Sequence, residues 1–446
     1  MALRAIVRSG AECPVVSVDH VVRSMPFRAQ ATLAPRQDAP PPDNPAFNPS
    51  FEVASCELRL ERSVSEVSVD GQRLALPKQD TRRIVVVGDT GCRIKVPASG
   101  QGDPIQDCAN PDAWPWPKIA TAAARTQPDL VIHVGDYHYR EYCADAQRCQ
   151  ALLEQGAIIS YGWAGWNADF FTPAASLLAA APWVFVRGNH ENCDRAGEGW
   201  MRFLSPGPYR ACSDQRIKSA SRSLLVNNLT DDAYRVDLND QLALMIADNS
   251  AHEDYRPASA TPQELEVFGQ TLAALRAAPA TQQLWLLSHK PLWYDLLGPA
   301  AQPNALQMVL RNTLPANLTL AFAGHQHAFE TINFAPDADP AYHPSGRPAQ
   351  VIVGGSGSQL ESLDPESPLY EGVSGVGSQE RAQPDGRLYD GVAAASGIVL
   401  NRYSFLLLER DDTGWAATVL DKEGLPLSHC RLSGGKKELA CTFPER

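Results

Sequence analysis

A chain of 446 residues, 44% of them hydrophobic and 20% charged, can bury a large core, and one big domain with a smaller appendage is the natural expectation. A net charge of −12 argues against a nucleic-acid or anionic-membrane surface, which needs a basic patch, yet leaves anionic substrates open because bound cations reverse a local field. No apolar run approaches the roughly 20 residues needed to span a bilayer.

Along the chain, residues 1–34 alternate loosely, with Val15–Val18 as a strand. Met1 to Gly10 carries Arg4 and Arg8 and lacks an apolar core of roughly 7–15 residues, so no signal peptide is visible there. Pro35 to Pro49 is rich in Pro, Asp and Asn and reads as a stiff linker or surface loop. Between Phe51 and Leu76, β-like segments at Glu57–Leu60 and Val67–Val69 accompany a turn at Asp70-Gly71. Residues 1–78 are expected to form a small β-rich N-terminal unit, and 79–446 the main domain.

From Arg83 the character changes. Ile84–Val87 is a continuous apolar run, as a strand buried on both faces requires. Similar runs recur at Leu130–Val134, Trp183–Val186, Leu242–Ala247, Leu284–Leu287, Leu318–Ala323 and Val351–Val353. Helical patterns lie between several of them. Thr261-Pro262-Gln263-Glu264 is a capping box with Pro at the first helical position, opening a helix to about Ala278. Phe170 to Ala181 and Gln302 to Leu314 are further predicted helices. Strands alternating with helices indicate an α/β fold. The end differs, with antiparallel strands expected at Tyr403–Glu409, Ala416–Leu420 and between Cys430 and Cys441.

Ten cysteines make an even count, and most fall into local pairs: Cys92 with Cys108, Cys143 with Cys149, Cys193 with Cys212, and Cys430 with Cys441. Cys13 and Cys56 are left for each other. None has the paired C-x-x-C spacing of a zinc site, so disulfides in an oxidising compartment, periplasmic or extracellular, are expected. Reduced thiols scattered through the core are the alternative, and spacing does not fix connectivity.

Five strand ends share one grammar. Val87 leads to Gly88-Asp89-Thr90-Gly91, and Val134 to Gly135-Asp136-Tyr137-His138-Tyr139. Val186-Arg187 leads to Gly188-Asn189-His190-Glu191, Leu287-Ser288 to His289-Lys290-Pro291, and Ala323 to Gly324-His325-Gln326-His327. Each places oxygen or imidazole donors just beyond a buried strand, where ligands collect in α/β sheets. Singly, Gly-Asp is an ordinary turn and a histidine after a strand is more often structural than a ligand. Five in succession at the same end of successive strands are not accidental turns.

The ordered set Asp89-x-Gly91, Gly135-Asp136-x-x-Tyr139, Gly188-Asn189-His190-Glu191, Leu286-x-x-His289 and Gly324-His325-x-His327 resembles the calcineurin-like metallophosphoesterases. The Asp-x-Gly and Gly-Asp-x-x-Tyr forms, with Ala328-Phe329-Glu330 after the last motif, resemble the purple acid phosphatase branch in particular. The resemblance spans roughly residues 83–330 and implies two mixed central sheets flanked by helices, an α+β sandwich. It implies two metals, with Asp89, Asp136, Tyr139 and His327 around the first and Asp136, Asn189, His289 and His325 around the second, Asp136 bridging. Phenolate and carboxylates suit a hard trivalent ion, imidazoles and an amide oxygen a divalent one. The pair implied is Fe(III) with Zn(II), Mn(II) or Fe(II), coloured by charge transfer from Tyr139.

The reaction implied is hydrolysis of a small phosphate monoester. Metals roughly 3.5–4 Å apart lower the pKa of a bound water, and the resulting hydroxide attacks phosphorus in line. His190 would contact the phosphate and protonate the leaving alkoxide, worth on the order of 10²–10⁴ in rate. His138 is expected either to face substrate or to pack on its loop, and Glu191 to orient His190 or a metal ligand. Asp248-Asn249-Ser250 is placed to reach the site but reads first as a turn, Gly354-Gly355-Ser356-Gly357 resembles a phosphate cradle but lacks the Lys-Ser/Thr of a P-loop and reads as a turn, and His133, mid-strand, reads as a core residue. Two departures bear on substrate. After His289 the chain reads Lys290-Pro291-Leu292-Trp293-Tyr294-Asp295, without the extra histidines of plant members, and the N-terminal unit is short for the plant sandwich domain. A phosphodiester substrate at the same ligands is the first alternative. A non-catalytic binding protein on a retired scaffold is the remote one, since retirement should erode ligands and none is missing.

Overall fold

Why the apolar runs need no alternation is plain once the layers are in view. In the computed structural model, Trp183–Phe185, Leu130–His133 and Arg83–Val87 pair in parallel, then Ser404–Asp411, Gly414–Asp421, Pro426–Ser433 and Leu439–Thr442 continue the sheet antiparallel. A second sheet orders Tyr234–Asn239, Leu242–Ile246, Gln283–Leu287, Leu318–Ala323, Ala349–Val353, Phe329–Phe334, Val392–Leu400 and Glu380–Arg381. Its four strands from Leu242–Ile246 to Ala349–Val353 are parallel, and the others antiparallel. The structure describes residues 1–32, 49–96, 105–143, 146–193, 195–212, 231–250, 262–293, 304–310, 314–334, 346–360, 380–381, 388–389, 392–434 and 436–444.

The two sheets pack face to face. Ile84, Val86, Ile132 and Val134 of one meet Leu244, Trp285, Leu287, Phe322, Val351 and Val353 of the other in a single apolar layer. The alternate residues Val85, Val87 and Val131 bury outward against Trp116, Ile119 and Ala123 of the helix Trp116–Arg125. Ala243, Met245, Leu284 and Leu286 bury outward against Phe268 and Leu275 of the helix Pro262–Arg276, and Leu306 and Leu310 of Ala305–Leu310. Both faces of each parallel strand are therefore covered, which demands the continuous apolar runs. This is the α/β sandwich of two mixed sheets flanked by helices.

Most predicted elements are present within a residue or two; one is broken, and several observed elements, the strands Phe329–Phe334 and Val392–Leu400 among them, were not predicted. The helix expected over Phe170 to Ala181 is split into a wide π turn, Asn167–Phe171, and Ala175–Ala180. Pro173 lies between them; it has no N–H and its ring clashes with the carbonyl four residues back, so one continuous helix cannot form. The strand Ala2–Arg8 and the helix Trp116–Arg125 were not legible as such. Residues 35–48 of the Pro-rich segment and the capping Thr261 lie outside the described residues.

Four disulfides close as local spacing suggests, Cys13–Cys56, Cys92–Cys108, Cys193–Cys212 and Cys430–Cys441. The side chains of Cys143 and Cys149 are not among those described. No described helix is long and apolar enough to cross a membrane.

The N-terminal residues form two small sheets of their own. Ala2–Arg8 and Phe27–Ala29 flank Val53–Arg59, while Val15–Val18 pairs with Val21–Ser24 and Val67–Val69. The predicted turn joins Val67–Val69 to Gln72–Arg73, with Asp70 and Gly71 at φ 50° and 79°, a hairpin conformation these residue types tolerate. Glu57 ties this region to the main sandwich. Its carboxylate takes Arg4 at 2.8 Å, Arg28 at 2.7 Å and Arg59 at 3.1 Å. Arg28 also donates to the Met201 carbonyl at 2.8 Å and the Gly207 carbonyl at 2.8 Å, and Arg4 to Phe203 at 2.7 Å. Removing the carboxylate strands buried guanidinium charge, so Glu57→Ala is expected to cost about 3–5 kcal/mol in urea unfolding. An unchanged unfolding midpoint would show that the ionic cluster is not what docks the N-terminal sheets.

Candidate metal centre

All five motifs occupy the carboxyl ends of parallel strands, three on one sheet and two on the other. Asp89, Asp136 and His325 adopt the left-handed conformation, with φ of 55°, 59° and 71°. A non-glycine residue there costs on the order of 1–3 kcal/mol and persists only where the surroundings over-determine it. They do so here. Asp89 N–H donates to the Gly135 carbonyl at 2.9 Å and Thr90 N–H to the Asp136 carbonyl at 3.0 Å, zipping the first two turns together. A Cβ on Gly188 would overlap the Asp136 carboxylate and Glu191 Oε2, so the third turn can approach the second only with glycine.

These turns bring the predicted donors into one buried cluster. Tyr139 Oη lies 2.8 Å from Asp136 Oδ2, 3.1 Å from Asp89 Oδ1 and 2.8 Å from His327 Nε2. On the other side of Asp136, the same Oδ2 is 3.2 Å from His289 Nε2. His289 Nε2 in turn is 3.0 Å from Asn189 Oδ1 and 3.3 Å from His325 Nδ1. Donor atoms of Asp136, His289 and His325 all lie within 4.8 Å of one another.

The second oxygen of each carboxylate is already spoken for. Asp136 Oδ1 accepts the His190 N–H at 2.9 Å, and Asp89 Oδ2 accepts the His325 N–H at 2.9 Å. The imidazoles are aimed in the same way, with His289 Nδ1 2.8 Å from the Val134 carbonyl and His327 Nδ1 2.6 Å from the Gln359 carbonyl. Those carbonyls assign the ring hydrogen to Nδ1 and leave Nε2 with a lone pair.

The donor set fits cations. Tyr139 has one hydroxyl hydrogen for three acceptors, and His289 Nε2 has no hydrogen for the oxygens of Asp136 and Asn189. Without positive charge the anions resist one another: burial and the neighbouring Asp136 push Asp89 well up, and burial with Asp136 and Asp89 pushes the Tyr139 phenol well up. Lone pairs converge here in excess of hydrogens, which a metal corrects.

A ring of buried groups holds the turns. Glu191 accepts the backbone N–H groups of Asp136 at 3.1 Å, Tyr137 at 3.0 Å, His138 at 3.2 Å and Gly188 at 3.1 Å, so it braces the Asp136 turn rather than the His190 ring. Asp169, on the π turn, accepts the N–H of Tyr139 at 2.8 Å, Arg140 at 3.1 Å and Cys92 at 3.1 Å, with the Arg140 guanidinium at 2.6 Å. Asn249 Oδ1 accepts the N–H of His289 at 3.1 Å and Lys290 at 3.0 Å. The glycine-rich loop packs on the first motif, Ser358 N–H donating to the Asp89 carbonyl at 2.7 Å. Sequence reading missed Asp169 and favoured a turn for Asn249 over a place at the site, because nothing local marks a brace for a distant backbone.

His138 points away from the cluster, against the Ser160 carbonyl. It is fully buried, Nε2 lies 2.7 Å from the Ser160 carbonyl, and its ring packs near Tyr161 and Trp166. Of its two neighbours in the chain, Tyr137 packs on His133 and Trp166 and Tyr139 enters the cluster. His133 is a core residue, held by Thr90 at 3.0 Å and stacked on Tyr137 with centroids 3.9 Å apart.

His190 occupies the open side of the cluster, its side chain 12% exposed against 1% for Asp136. Its ring lies over Tyr139 with centroids 3.8 Å apart, and Nε2 is 3.7 Å from Asp136 Oδ2. Nδ1 is 2.9 Å from Glu141 Oε1. Burial and the adjacent Arg195 lower the imidazole to about 4, against the pull of Glu141 and Asp136.

Residues 82–329 match the family model of calcineurin-like phosphoesterases, over half of the chain. Among solved structures, a purple acid phosphatase from yellow lupin seeds superposes with a TM-score of 0.53 at 14% identity, covering 95% of this chain and 71% of that one, a likeness of fold. PhoD gives 0.44 at 11% identity over 99% of this chain and 92% of its own. GAP50 of Plasmodium gives 0.42 at 11% identity over 79% and 89%. Those two scores add nothing to the fold assignment. A comparison with curated proteins finds no significant match.

The brace at Asp169 is open to a direct check. Asp169→Ala leaves three backbone N–H groups and a guanidinium without their acceptor, at about 1–3 kcal/mol for each buried donor, so a loss of at least about 3 kcal/mol is expected in urea unfolding. Unfolding at the parent's urea concentration would show that the Tyr139 turn stands without it.

Proposed function

The chain belongs to the calcineurin-like phosphoesterase family and is a metal-dependent phosphoesterase, and on that premise we propose that it hydrolyses phosphate monoesters at a two-metal centre shared through Asp136. The observation that carries the reading is the position of Asp136 Oδ2, 2.8 Å from Tyr139 Oη and 3.2 Å from His289 Nε2, between two separate sets of lone pairs. Asp89, Tyr139 and His327 would hold one ion with it, and Asn189, His289 and His325 the other. The phenol and carboxylates favour Fe(III) at the first position, and the imidazoles and amide a divalent Zn, Mn or Fe at the second. Bound there, the ions supply Lewis acidity that activates water as nucleophile and neutralises phosphoryl charge.

The protein's own part is positioning and proton supply. In-line displacement puts the leaving oxygen opposite the nucleophile, toward the open side of the cluster, where His190 stands. Glu141 fixes the tautomer and angle of His190 by taking Nδ1–H, so Nε2 is the atom that faces the leaving group. An alkoxide leaves poorly, and a proton on Nε2 removes that difficulty. The proton is held at Nε2 only in the charged imidazolium, which the negative charge of bound substrate favours and the resting neighbourhood opposes. Activity limited by this proton is highest on the acid side and declines as pH rises through the His190 pKa in the complex. Four disulfides favour an extracellular or periplasmic setting for this chemistry.

Metal-loaded protein is expected to hydrolyse para-nitrophenyl phosphate, with kcat down on the order of 10²–10⁴ in His190→Ala and the alkaline decline flattened. Asn189→Ala should lose bound metal and activity together, and chelation should abolish turnover. Absence of activity from acid to mildly alkaline pH with Fe, Zn and Mn supplied would overturn the reading. Separately, a visible absorption band that disappears in Tyr139→Phe is expected for Fe(III)–phenolate; a colourless iron-loaded parent would exclude that metal at the Tyr139 side.

A further inference from the structure

Behind His190 is a carboxylate–guanidinium pair that the motifs do not include. Glu141, two residues after Tyr139, is buried, with Oε1 2.6 Å from Arg195 Nε as well as 2.9 Å from His190 Nδ1. Because Nδ1 gives its hydrogen to Glu141, it cannot also accept from Arg195. Arg195 Nη2 nevertheless lies 2.7 Å from Nδ1 and 2.8 Å from Nε2, close to both ring nitrogens and aligned with the lone pair of neither. Nε2 is thus its only acceptor on the ring, and Nε2 is the atom turned toward Asp136. The guanidinium has its back on a buried anion and its front at the mouth of the cluster, with the side chain 21% exposed. Nη1 is 3.5 Å from the Asn189 carbonyl, the outer limit of a hydrogen bond.

We propose that Arg195 is a phosphate-contacting residue that selects dianionic phosphate monoesters over monoanionic diesters, an assignment that rests on the monoesterase reading above. When phosphate binds, Nη2 passes from His190 Nε2 to a non-bridging phosphoryl oxygen while Nε keeps its bond to Glu141. The exchange replaces a poorly aligned contact with the imidazole ring by a charge-assisted hydrogen bond. It also vacates Nε2 of His190, which cannot face Arg195 and a leaving oxygen at once. A monoester dianion offers three non-bridging oxygens and two charges, a diester two oxygens and one charge, so the cation gains more from the monoester. Arginine suits the task because its planar fork can hold Glu141 with one edge and phosphate with the next. Among the described residues, Glu141 has no other evident role than to hold Arg195 and His190 together.

The test compares parent, Arg195→Gln and Arg195→Lys, each metal-loaded and checked for metal content and circular dichroism. Arg195→Gln is expected to raise KM for para-nitrophenyl phosphate and the calorimetric Kd for inorganic phosphate by about 10–100-fold, with kcat/KM for bis(para-nitrophenyl) phosphate falling no more than about threefold. Arg195→Lys, which keeps a cation beside Glu141, should recover part of the phosphate affinity. Equal losses on monoester and diester, or an unchanged phosphate Kd in folded, metal-replete Arg195→Gln, overturn the proposal. A parent that binds phosphate through Arg195 but cleaves neither ester would sustain the anion contact while sinking the monoesterase reading, so the two fail separately.

Discussion

One carboxylate bears two demands that pull against each other. Asp136 must project its Oδ2 into the gap between the Tyr139 phenol and the His289 imidazole, and the only backbone that does so here is left-handed. That conformation is unfavourable for an aspartate, so the fold around it is arranged to leave no alternative. Gly135 at φ 104° gives the chain its sharp exit from the strand. Glu191 takes four backbone N–H groups from the second and third motifs. The bare Cα of Gly188 lets those motifs touch. The rest of the site is aligned on the oxygen this fixes.

The sheets supply the rigidity that such strain requires. Three donors' loops grow from parallel strands of one sheet and two from the other, and the apolar layer between the sheets sets the distance across which they meet. Contacts from one set of loops to the other are backbone-anchored, as with His289 Nδ1 on the Val134 carbonyl and the His325 N–H on Asp89. Covalent staples follow the same loops outward. Cys92 comes three residues after Asp89 and Cys193 four after Asn189, and they are bonded to cysteines 16 and 19 residues further along. A loop held at its root by a buried strand and shortly afterwards by a disulfide has few ways to relax, which is how a cluster of mutually repelling anions stays assembled.

Two buried acids beside the cluster differ in their surroundings. Glu141 stays ionised against burial because Arg195 and His190 face it, and it passes orientation on to the His190 ring. Glu191 has backbone N–H groups for partners and is pushed up by burial and by Asp136, so it serves as a brace. Glu141 lies on the short strand Arg140–Cys143 and Glu191 on the turn Asn189–Glu191, and their different partners give them different surroundings.

The fold class and the donor residues were legible because both are local. A run such as Ile84–Val87 must be buried on both faces, and a glycine followed by Asp, Asn or His at its end must turn there, whatever the rest of the chain does. The hairpin at Asp70-Gly71 was legible for the same reason. By itself the sequence therefore determined which residue types stand at the strand ends and in which order. Tertiary packing alone decided which atom of each points inward. It turned Tyr139 into the cluster and His138 against Ser160, chose Glu191 for the Asp136 turn and Asp169 for the Tyr139 turn, and placed Arg195 beside His190. Most of those outcomes depend on hydrogen bonds between segments tens of residues apart, Arg195 being held beside His190 by Glu141, and how the sheets and loops pack chooses such partners where no spacing along the chain encodes them.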